Sequence, residues 1–330
     1  MVPFSILDLC PIVEGGTAAD AFRNSLDLAQ HAERWGYRRF WLAEHHNIPG
    51  IASAATSVVI AHVAAGTKTI RVGSGGIMLP NHSPLTIAEQ FGTLASLFPD
   101  RIDLGIGRAP GADMLTARAL RRENLDAADQ FPQDVQELQQ YFSDPTAGQT
   151  IRAVPGSGLR VPIWLLGSSL FSAQLAAHLG LPFAFAAHFA PADLVPALNL
   201  YRSGFQPSAQ LDQPYAAVCL NVIAADTDGE AQYLFSSLQQ AFLALRRGTP
   251  GRLKPPVEDF HVLSSPAERA LLDQVLSQAI IGSPKTVLDR LRQFLVAHRP
   301  DELLVTANIH DHSARLHSFA TVAQARDLLG

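Results

Sequence analysis

Short apolar runs alternate with longer amphipathic stretches along almost the whole 330-residue chain, and this alternation limits the fold more than any other feature. The runs are mostly continuous, which is typical of strands buried on both faces of a parallel sheet. Each run, with the stretch that follows it, predicts one strand-helix unit. About eight units predict an α/β fold, a (β/α)8 barrel of the TIM type. The predicted strands are residues 4–8, 39–43, 70–74, 102–106, 163–166, 183–187, 216–224 and 302–306.

One stretch breaks the regular spacing of the units. Residues 246–265 are rich in glycine and proline, which predicts a long loop inserted in the seventh unit. We interpret this insertion as a candidate lid. Internal repeats and a linker between differently composed halves are not evident, so we expect residues 1–330 to form a single domain.

Two predicted helices bear on assembly. Residues 53–65 are rich in small side chains, which permit close contacts between helices. Together with residues 86–97 they form either a homodimer face or ordinary packing within one chain. The residues alone leave both possibilities open.

Composition and charge exclude several classes of partner. The chain has 25 basic and 30 acidic residues, a net charge of −5, without a lysine-rich run, so neither nucleic acid nor an anionic membrane is expected. Cys10 and Cys219 are far apart and lack the spacing of a metal site, which suits a reducing compartment. Because we recognise no export signal and no membrane-spanning run, we expect a cytoplasmic protein.

Polar or small residues follow most of the predicted strands. The active site of a (β/α)8 barrel lies at the carboxyl ends of its strands, so these residues are expected to converge. They are Glu44, His45 and His46 at the second strand, Ser74, Gly75 and Gly76 at the third, Gly107 and Arg108 at the fourth, Gly167, Ser168 and Ser169 at the fifth, His188 at the sixth, and Asn308 and His310 after the eighth.

Two adjacent histidines stand at the end of the second strand. Consecutive strand residues point to opposite sides, so at most one of His45 and His46 faces the barrel mouth directly. An imidazole titrates near neutrality and can pass a proton to or from an oxygen atom, while Glu44 can orient it or accept a hydrogen bond from a ligand. A purely structural role as a strand-end cap is the alternative.

Three other groups suit a flat, phosphorylated ligand. The Gly75-Gly76 pair lets a ligand approach the backbone closely, but a plain turn has the same composition. Arg108 either offers a forked donor to a phosphate or forms a structural ion pair. A serine-rich helix start can bind phosphate, whereas ordinary capping needs only one hydroxyl. Jointly the groups fit a cofactor such as FMN. The serines are Ser168, Ser169 and Ser172.

Longer motifs extend this pattern over nearly the full chain, with gaps mainly in the seventh unit. The motifs are WLAEHH at residues 41–46, RVGSGGIMLP at 71–80, LGIGR at 104–108, and shorter matches at 88–90, 166–169, 224–227 and 282–284. They strongly resemble the bacterial luciferase-like monooxygenase family, in particular its single-chain oxidoreductases.

The resemblance implies a TIM barrel that binds FMN, takes reduced FMN as a co-substrate and oxidises a small organic substrate with O2. A separate NAD(P)H:flavin reductase would deliver the reduced flavin, and family habit favours a homodimer. By the same resemblance His45 is catalytic, Glu44 lies near the flavin, and Gly75-Gly76 forms a non-proline cis peptide. The implied phosphate contacts are Arg108, Ser168 and Ser172. The predicted cofactor site also includes the neighbouring Ser74, Gly107, Gly167 and Ser169.

The predicted substrate pocket has mixed polar and aromatic character, which does not identify a particular substrate. Luciferase itself has a cysteine where Gly107 stands and an acidic residue where Gly167 stands, and it pairs two different subunits. Light emission is therefore not expected. The predicted pocket residues are Leu9, His82, His188, Phe189 and Asn221.

Three other functions share parts of the pattern. A deazaflavin (F420)-dependent oxidoreductase would use the same barrel and also place a histidine beside the ring. A flavin-binding protein without turnover would need the phosphate contacts but no proton-transferring His45. A metal-dependent hydrolase would be built on His45, His46 and His188, but these lack the usual ligand spacing, and no metal is expected.

Overall fold

The computed structural model describes residues 2–109, 114–120 and 129–330, and it contains the predicted barrel. Its strands are β1 (Phe4–Asp8), β2 (Arg39–Leu42), β3 (Arg71–Met78), β4 (Ile102–Gly107), β5 (Ile163–Gly167), β6 (Phe183–Phe185), β7 (Ala216–Ala224), β8 (Ile280–Gly282) and β9 (Glu302–Thr306). All pairings between these strands are parallel. Eight strands form a closed ring in the order β1-β2-β3-β4-β5-β6-β7-β9, and β9 returns to β1.

Side chains alternate between the barrel interior and the surrounding helices, as strand geometry requires. On β9, Leu303 and Val305 pack outward into the large core under the helices, whereas Leu304 joins a smaller inner cluster. The barrel is therefore filled below its mouth. The other members of the inner cluster are Leu7, Trp41, Ala43, Trp164, Ala184, Ala217 and Cys219.

Helices form the outer layer. Helix α1 (Ala18–Arg34) begins at a capping box on Thr17 and ends before Gly36, whose φ of +74° favours glycine. Among the described residues, no helix combines the length and apolarity needed to cross a bilayer. The other helices are α2 (Thr56–Ala65), α3 (Pro84–Leu97), α4 (Met114–Leu120), α5 (Phe131–Phe142), α6 (Leu170–Leu179), α7 (Leu194–Gly204), α8 (Asp228–Arg246), α9 (Pro266–Val275), α10 (Pro284–His298) and α11 (His312–Asp327).

The predicted strands agree with the observed ones to within two residues except at two places. β3 runs to Met78 rather than stopping at Ser74, and it continues past a shift of its register with β4 between Ser74 and Ile77. β8 is not predicted, because its apolar run covers only residues 279–281, whereas the equally short β6 lies in an apolar run over residues 181–187. β8 pairs with the end of β7, from Val222 to Ala224, outside the closed ring.

The insertion lies between β7 and β9, in the predicted seventh unit. Part of it, residues 250–253, crosses the barrel mouth, and we name this segment the roof loop. The Leu253 N–H donates to the Ile12 carbonyl (2.9 Å), and the Leu253 carbonyl accepts from the Glu14 N–H (2.7 Å). The loop is therefore hydrogen bonded to the connection that follows β1.

A buried charge network closes the amino end of the barrel. Arg39 binds Glu302 through Nε (2.7 Å) and Asp103 through Nη1 (2.8 Å). Arg71 forms a second ion pair with Asp103 (2.5 Å), and the Ser5 hydroxyl donates to Glu302. Arg39, Asp103 and Glu302 thus meet opposite charges where solvent is excluded, which limits the cost of burying them.

Candidate active site

A cavity of about 740 Å³ opens at the carboxyl ends of the strands. This volume is within the range of cofactor and substrate sites. The roof loop packs tightly over it, since a Cβ on Gly50 would overlap the Gly251 carbonyl. The cavity is mostly apolar. Its apolar residues on the roof side are Pro11, Ile48, Ile51, Leu238, Ala241, Phe242, Leu245 and Leu253.

The two adjacent histidines diverge, as their positions predict. His45 lines the cavity, whereas His46 turns away and places its Nε2 2.6 Å from Glu44 Oε1. The second and sixth strands of an eight-stranded ring stand opposite each other, so His45 faces His188 across the mouth. Burial lowers the pKa of His188 to about 3, and the nearby His45 ring lowers it further. His188 is therefore neutral near pH 7.

Glu44 lies behind the cavity floor and does not line the cavity. Its side chain is buried and accepts hydrogen bonds from His46, His82 and the Met78 N–H. Burial raises the pKa of Glu44, but the three hydrogen bonds outweigh burial and hold this pKa at about 2. Glu44 is thus a charged group that ties the end of β2 to the end of β3.

His82 is expected in the substrate pocket but bonds to Glu44 instead. Its Nε2 lies 2.9 Å from Oε1, the oxygen that also meets His46. Ligand atoms of Glu44, His46 and His82 lie within 4.8 Å of one another, a set that could hold a metal ion. Direct hydrogen bonds among the three side chains account for this closeness without an ion.

β3 forms a floor of bare backbone. Gly75 and Gly76 line the cavity, and the peptide between them is cis, as the family resemblance implies. A Cβ on Gly75 would lie 2.5 Å from a Leu7 methyl carbon, and one on Gly76 would lie 2.7 Å from the Gly105 carbonyl oxygen. Ser74 is expected at the cofactor but is fully buried, and its hydroxyl donates to Gly105 (2.7 Å). A side chain at Gly76 would therefore overlap backbone, whereas one at Gly75 would require the Leu7 side chain to move.

The ends of β4 and β5 form a cationic corner beside this floor. The guanidinium carbon of Arg108 lies 4.1 Å from the centre of the Phe171 ring. Ser169 precedes α6, and its hydroxyl makes no capping hydrogen bond to the described residues. A Cβ on Gly167 would overlap the Ser172 hydroxyl, so the glycine makes room for it. A guanidinium beside a helix amino end suits an anion. The predicted residues that line the cavity here are Gly107, Arg108, Gly167, Ser168, Ser169 and Ser172.

The opposite side of the mouth carries the other predicted pocket residues. Asn221 lines the cavity next to Thr306, its Cα partner on β9. The Asn221 Nδ2 donates to the His188 carbonyl (2.6 Å). Phe189 meets the His188 ring edge to face at 4.7 Å, and Leu9 lines the cavity from the end of β1. Four of the five predicted pocket residues are thus brought together.

Several cavity residues were not assigned from the sequence. Thr306 faces inward like Leu304 two positions earlier, so strand alternation could have identified it. Asn308, which the sequence places among the polar residues expected at the mouth, follows on the same side. Cys219 lines the cavity from β7, and burial raises the pKa of its thiol, which stays neutral. Arg246 reaches the cavity from the end of α8, which no local pattern signals because it depends on helix packing.

Relatives match over most of the chain. The family model described as luciferase-like monooxygenase matches residues 2–299. A luciferase-like monooxygenase of Escherichia coli (strain K12) is 56% identical over 330 residues, covering 100% of this chain and 98% of the relative. An N-acetyl-S-alkylcysteine monooxygenase of Bacillus subtilis (strain 168) is 38% identical over 255 residues, 75% of each chain.

Solved structures share the barrel. Apo-MsnO8 has a TM-score of 0.89 at 36% identity and covers 99% of both chains. The oxygenating constituent of 3,6-diketocamphane monooxygenase of Pseudomonas putida, in complex with FMN, has a TM-score of 0.73 at 18% identity, covering 98% of this chain and 97% of its own. An F420-dependent secondary alcohol dehydrogenase has a TM-score of 0.70 at 14% identity, covering 98% of both. With its sequence matched from the first strand to beyond α10, this chain belongs to the luciferase-like monooxygenase family.

Proposed function

We propose that the protein is a two-component, FMN-dependent monooxygenase that oxidises a small organic substrate with O2. The observation that carries this proposal is the cationic corner at Arg108 and α6, set beside a floor of bare glycine backbone in one roofed cavity. A phosphate tail and a flat ring need these two surfaces side by side. The N-acetyl-S-alkylcysteine monooxygenase relative supports a small organic substrate.

The residues present fit FMN. Arg108, the hydroxyls of Ser168 and Ser172 and the first amides of α6 would hold the phosphate. Gly75 and Gly76 would carry the ring, since no side chain rises from the floor. When bound, reduced FMN supplies the electrons that activate O2. The apolar side chains and the roof loop exclude water from the same space.

His45 is the proposed catalytic residue. Its ring faces the cavity opposite His188, which stays neutral, and an imidazole can hold or release a proton near pH 7. Glu44 is proposed as a positioning residue. Its carboxylate holds the Met78 N–H and so fixes β3 directly after the glycine floor.

A separate NAD(P)H:flavin reductase is the proposed source of reduced FMN. The P. putida structure supports this partner, because it is named as only the oxygenating constituent of its monooxygenase.

A homodimer is the proposed assembly. Val58 on α2 and Leu97 on α3 are 67% and 63% exposed, which suits an apolar face covered by a second copy. Sedimentation at micromolar concentration measures the assembly, and a lone 35.5 kDa species would contradict it.

An anaerobic titration with reduced FMN, followed by mixing with oxygenated buffer, tests the proposed function. We expect saturable binding and then a transient absorbance that belongs to neither reduced nor oxidised FMN. Failure of the unmutated protein to bind FMN contradicts the proposal. Hydride transfer from reduced F420 without O2 consumption would identify an F420-dependent oxidoreductase. FMN binding without any reaction with O2 would identify a flavin carrier.

A further inference from the structure

We propose that one side of the cavity binds an uncharged hydrogen-bonding group of the substrate, such as a carboxamide or an alcohol. We name this side the polar wall; it consists of His188, Asn221, Thr306 and Asn308. The inference rests on the proposed function, because it identifies the wall as a substrate contact rather than a flavin contact.

Three buried polar atoms of the wall have no hydrogen-bond partner among the described residues. They are His188 Nδ1, Thr306 Oγ1 and Asn308 Oδ1, and all three side chains line the cavity. Thr306 is 2% exposed, so bulk water does not serve its hydroxyl. Buried polar atoms are nearly always paired, because leaving one unpaired destabilises the fold. A ligand that reaches the wall can supply the missing partners.

The wall is one continuous surface opposite the predicted cofactor contacts. In the eight-stranded ring β7 stands opposite β3 and β9 opposite β4, so the wall faces the glycine floor and Arg108. Asn221 and Thr306 are Cα partners, and the bond from Asn221 Nδ2 to the His188 carbonyl (2.6 Å) fixes the Asn221 amide. FMN held on the floor and in the corner leaves the wall to a second ligand.

The chemistry of the wall selects a neutral group. Its members are two amides, one hydroxyl and His188, which burial keeps uncharged near pH 7. No member of the wall is charged, so a carboxylate or an ammonium group that contacts only the wall would lose its hydration without meeting a counter-ion there. Two arginines that line the cavity, Arg108 and Arg246, lie outside the wall. The Asn308 oxygen accepts, and the Thr306 hydroxyl donates or accepts, so a group that does both is the best match. Leu9, Phe242 and other apolar side chains nearby favour an apolar remainder.

Calorimetric titration of the full chain with hexanamide, hexanoate and hexylammonium tests the wall, with and without saturating oxidised FMN. With FMN bound, so that Arg108 is covered, we expect hexanamide to bind at least about tenfold more tightly than either ion. Without FMN, hexanoate can also pair with Arg108. Thr306→Val and Asn308→Leu should each weaken hexanamide binding by roughly three- to tenfold, as expected for one lost neutral hydrogen bond. Thr306→Ser keeps the hydroxyl and should keep the affinity.

Ser237→Ala is the matched control. The Ser237 hydroxyl is also buried and has no partner in the part of the chain that the structure describes, but it lies on α8 outside the cavity, so its removal should leave hexanamide binding unchanged. No binding of hexanamide, or equal binding of the three probes with FMN bound, would overturn the inference. So would a loss of FMN affinity in Thr306→Val, because the wall would then serve the flavin. Failure of the unmutated protein to bind FMN contradicts only the proposed function, since the FMN-free titrations still report on the wall.

Discussion

The two ends of the barrel differ in the hydrogen bonding of their buried polar groups. At the amino end, Arg39 is paired with Asp103 and Glu302, so these charges find partners within the fold. At the carboxyl end, polar atoms of His188 and Thr306 are buried without a partner among the described residues. One end therefore completes its hydrogen bonds on folding, and the other keeps bonding capacity for a ligand.

The difference separates stability from function. A polar group that loses water on burial can be compensated by the protein or by a ligand, and only the first contributes to the folded state on its own. This agrees with the general division of (β/α)8 barrels, whose active sites lie at the carboxyl ends of the strands. Glu44 is an instructive case, because it lies near the carboxyl end but is fully paired, as a positioning group should be.

The largest expected effect is a loss of product formation in a variant at the carboxyl end of the barrel that stays folded. His45→Ala should lower product formation by roughly 10²–10⁴-fold, the range for losing a positioned proton-transfer group. FMN affinity should stay unchanged, because His45 is not among the proposed phosphate and ring contacts, and the melting temperature shows whether the variant is folded. Mass spectrometry of the products from a substrate that the unmutated protein oxidises measures the first effect, and a spectral FMN titration measures the second. A parallel loss of FMN affinity would make His45 a binding residue instead.

The amino end should respond in the opposite way. Arg39→Met leaves Asp103 and Glu302 buried with fewer partners, which should lower the free energy of unfolding by about 3–5 kcal/mol. FMN affinity of the folded fraction should not change. Urea denaturation measures the loss, with Arg160→Met as the matched control. Because the Arg160–Asp144 pair is exposed, the control should lose under about 1 kcal/mol.

The pH dependence of the free energy of unfolding tests the contribution of Glu44 at the carboxyl end of the barrel. Its folded pKa of about 2 lies below the ordinary 4.5, so its ionised form stabilises the fold above pH 4.5, and this contribution is lost as the pH falls towards 2. This lowering of the Glu44 pKa corresponds to about 3 kcal/mol of folding free energy. Glu44→Gln should be less stable than the unmutated protein at pH 7, with the difference shrinking at pH 3. A difference independent of pH in urea denaturation would show that charge is not the cause.

Arg108→Ala should weaken FMN binding by about 1–3 kcal/mol, the range for one charged hydrogen bond. The free energy of unfolding should be unaffected, because the Arg108 side chain is exposed at the cavity and packs on the face of the Phe171 ring. Fluorescence titration of FMN measures the effect, and Arg108→Lys should recover part of it. Unchanged FMN affinity in the alanine variant would remove the phosphate role from this corner.

The smallest expected effect compares one hydroxyl at each end. Thr306→Val removes an unpaired buried hydroxyl and should leave the free energy of unfolding unchanged, or raise it by up to about 1 kcal/mol. Ser5→Ala removes a donor to Glu302 and should lower the free energy of unfolding by about 1–3 kcal/mol. Equal losses in thermal or urea denaturation would erase the distinction between the two ends.

Local patterns were sufficient for most of the barrel and for part of the site. Continuous apolar runs located the eight ring strands, and strand alternation separated His45 from His46. The pairing of His82 with Glu44 was not accessible, because the two residues are 38 positions apart and meet only through the packing of β2 against β3. Ser74 was misplaced although strand alternation could have identified it, because it lies two positions after Val72, which packs outward into the large core, and so it faces away from the mouth.

The roof loop makes the cavity a product of distant parts of the chain. Arg252 donates to the Gly16 carbonyl (3.1 Å) across 236 positions of sequence, beside the bonds of Leu253. Contacts of such long range form late, because the intervening chain must first be ordered. We therefore expect the barrel mouth to remain uncovered until the seventh unit has folded, so that ligand retention marks the completion of folding.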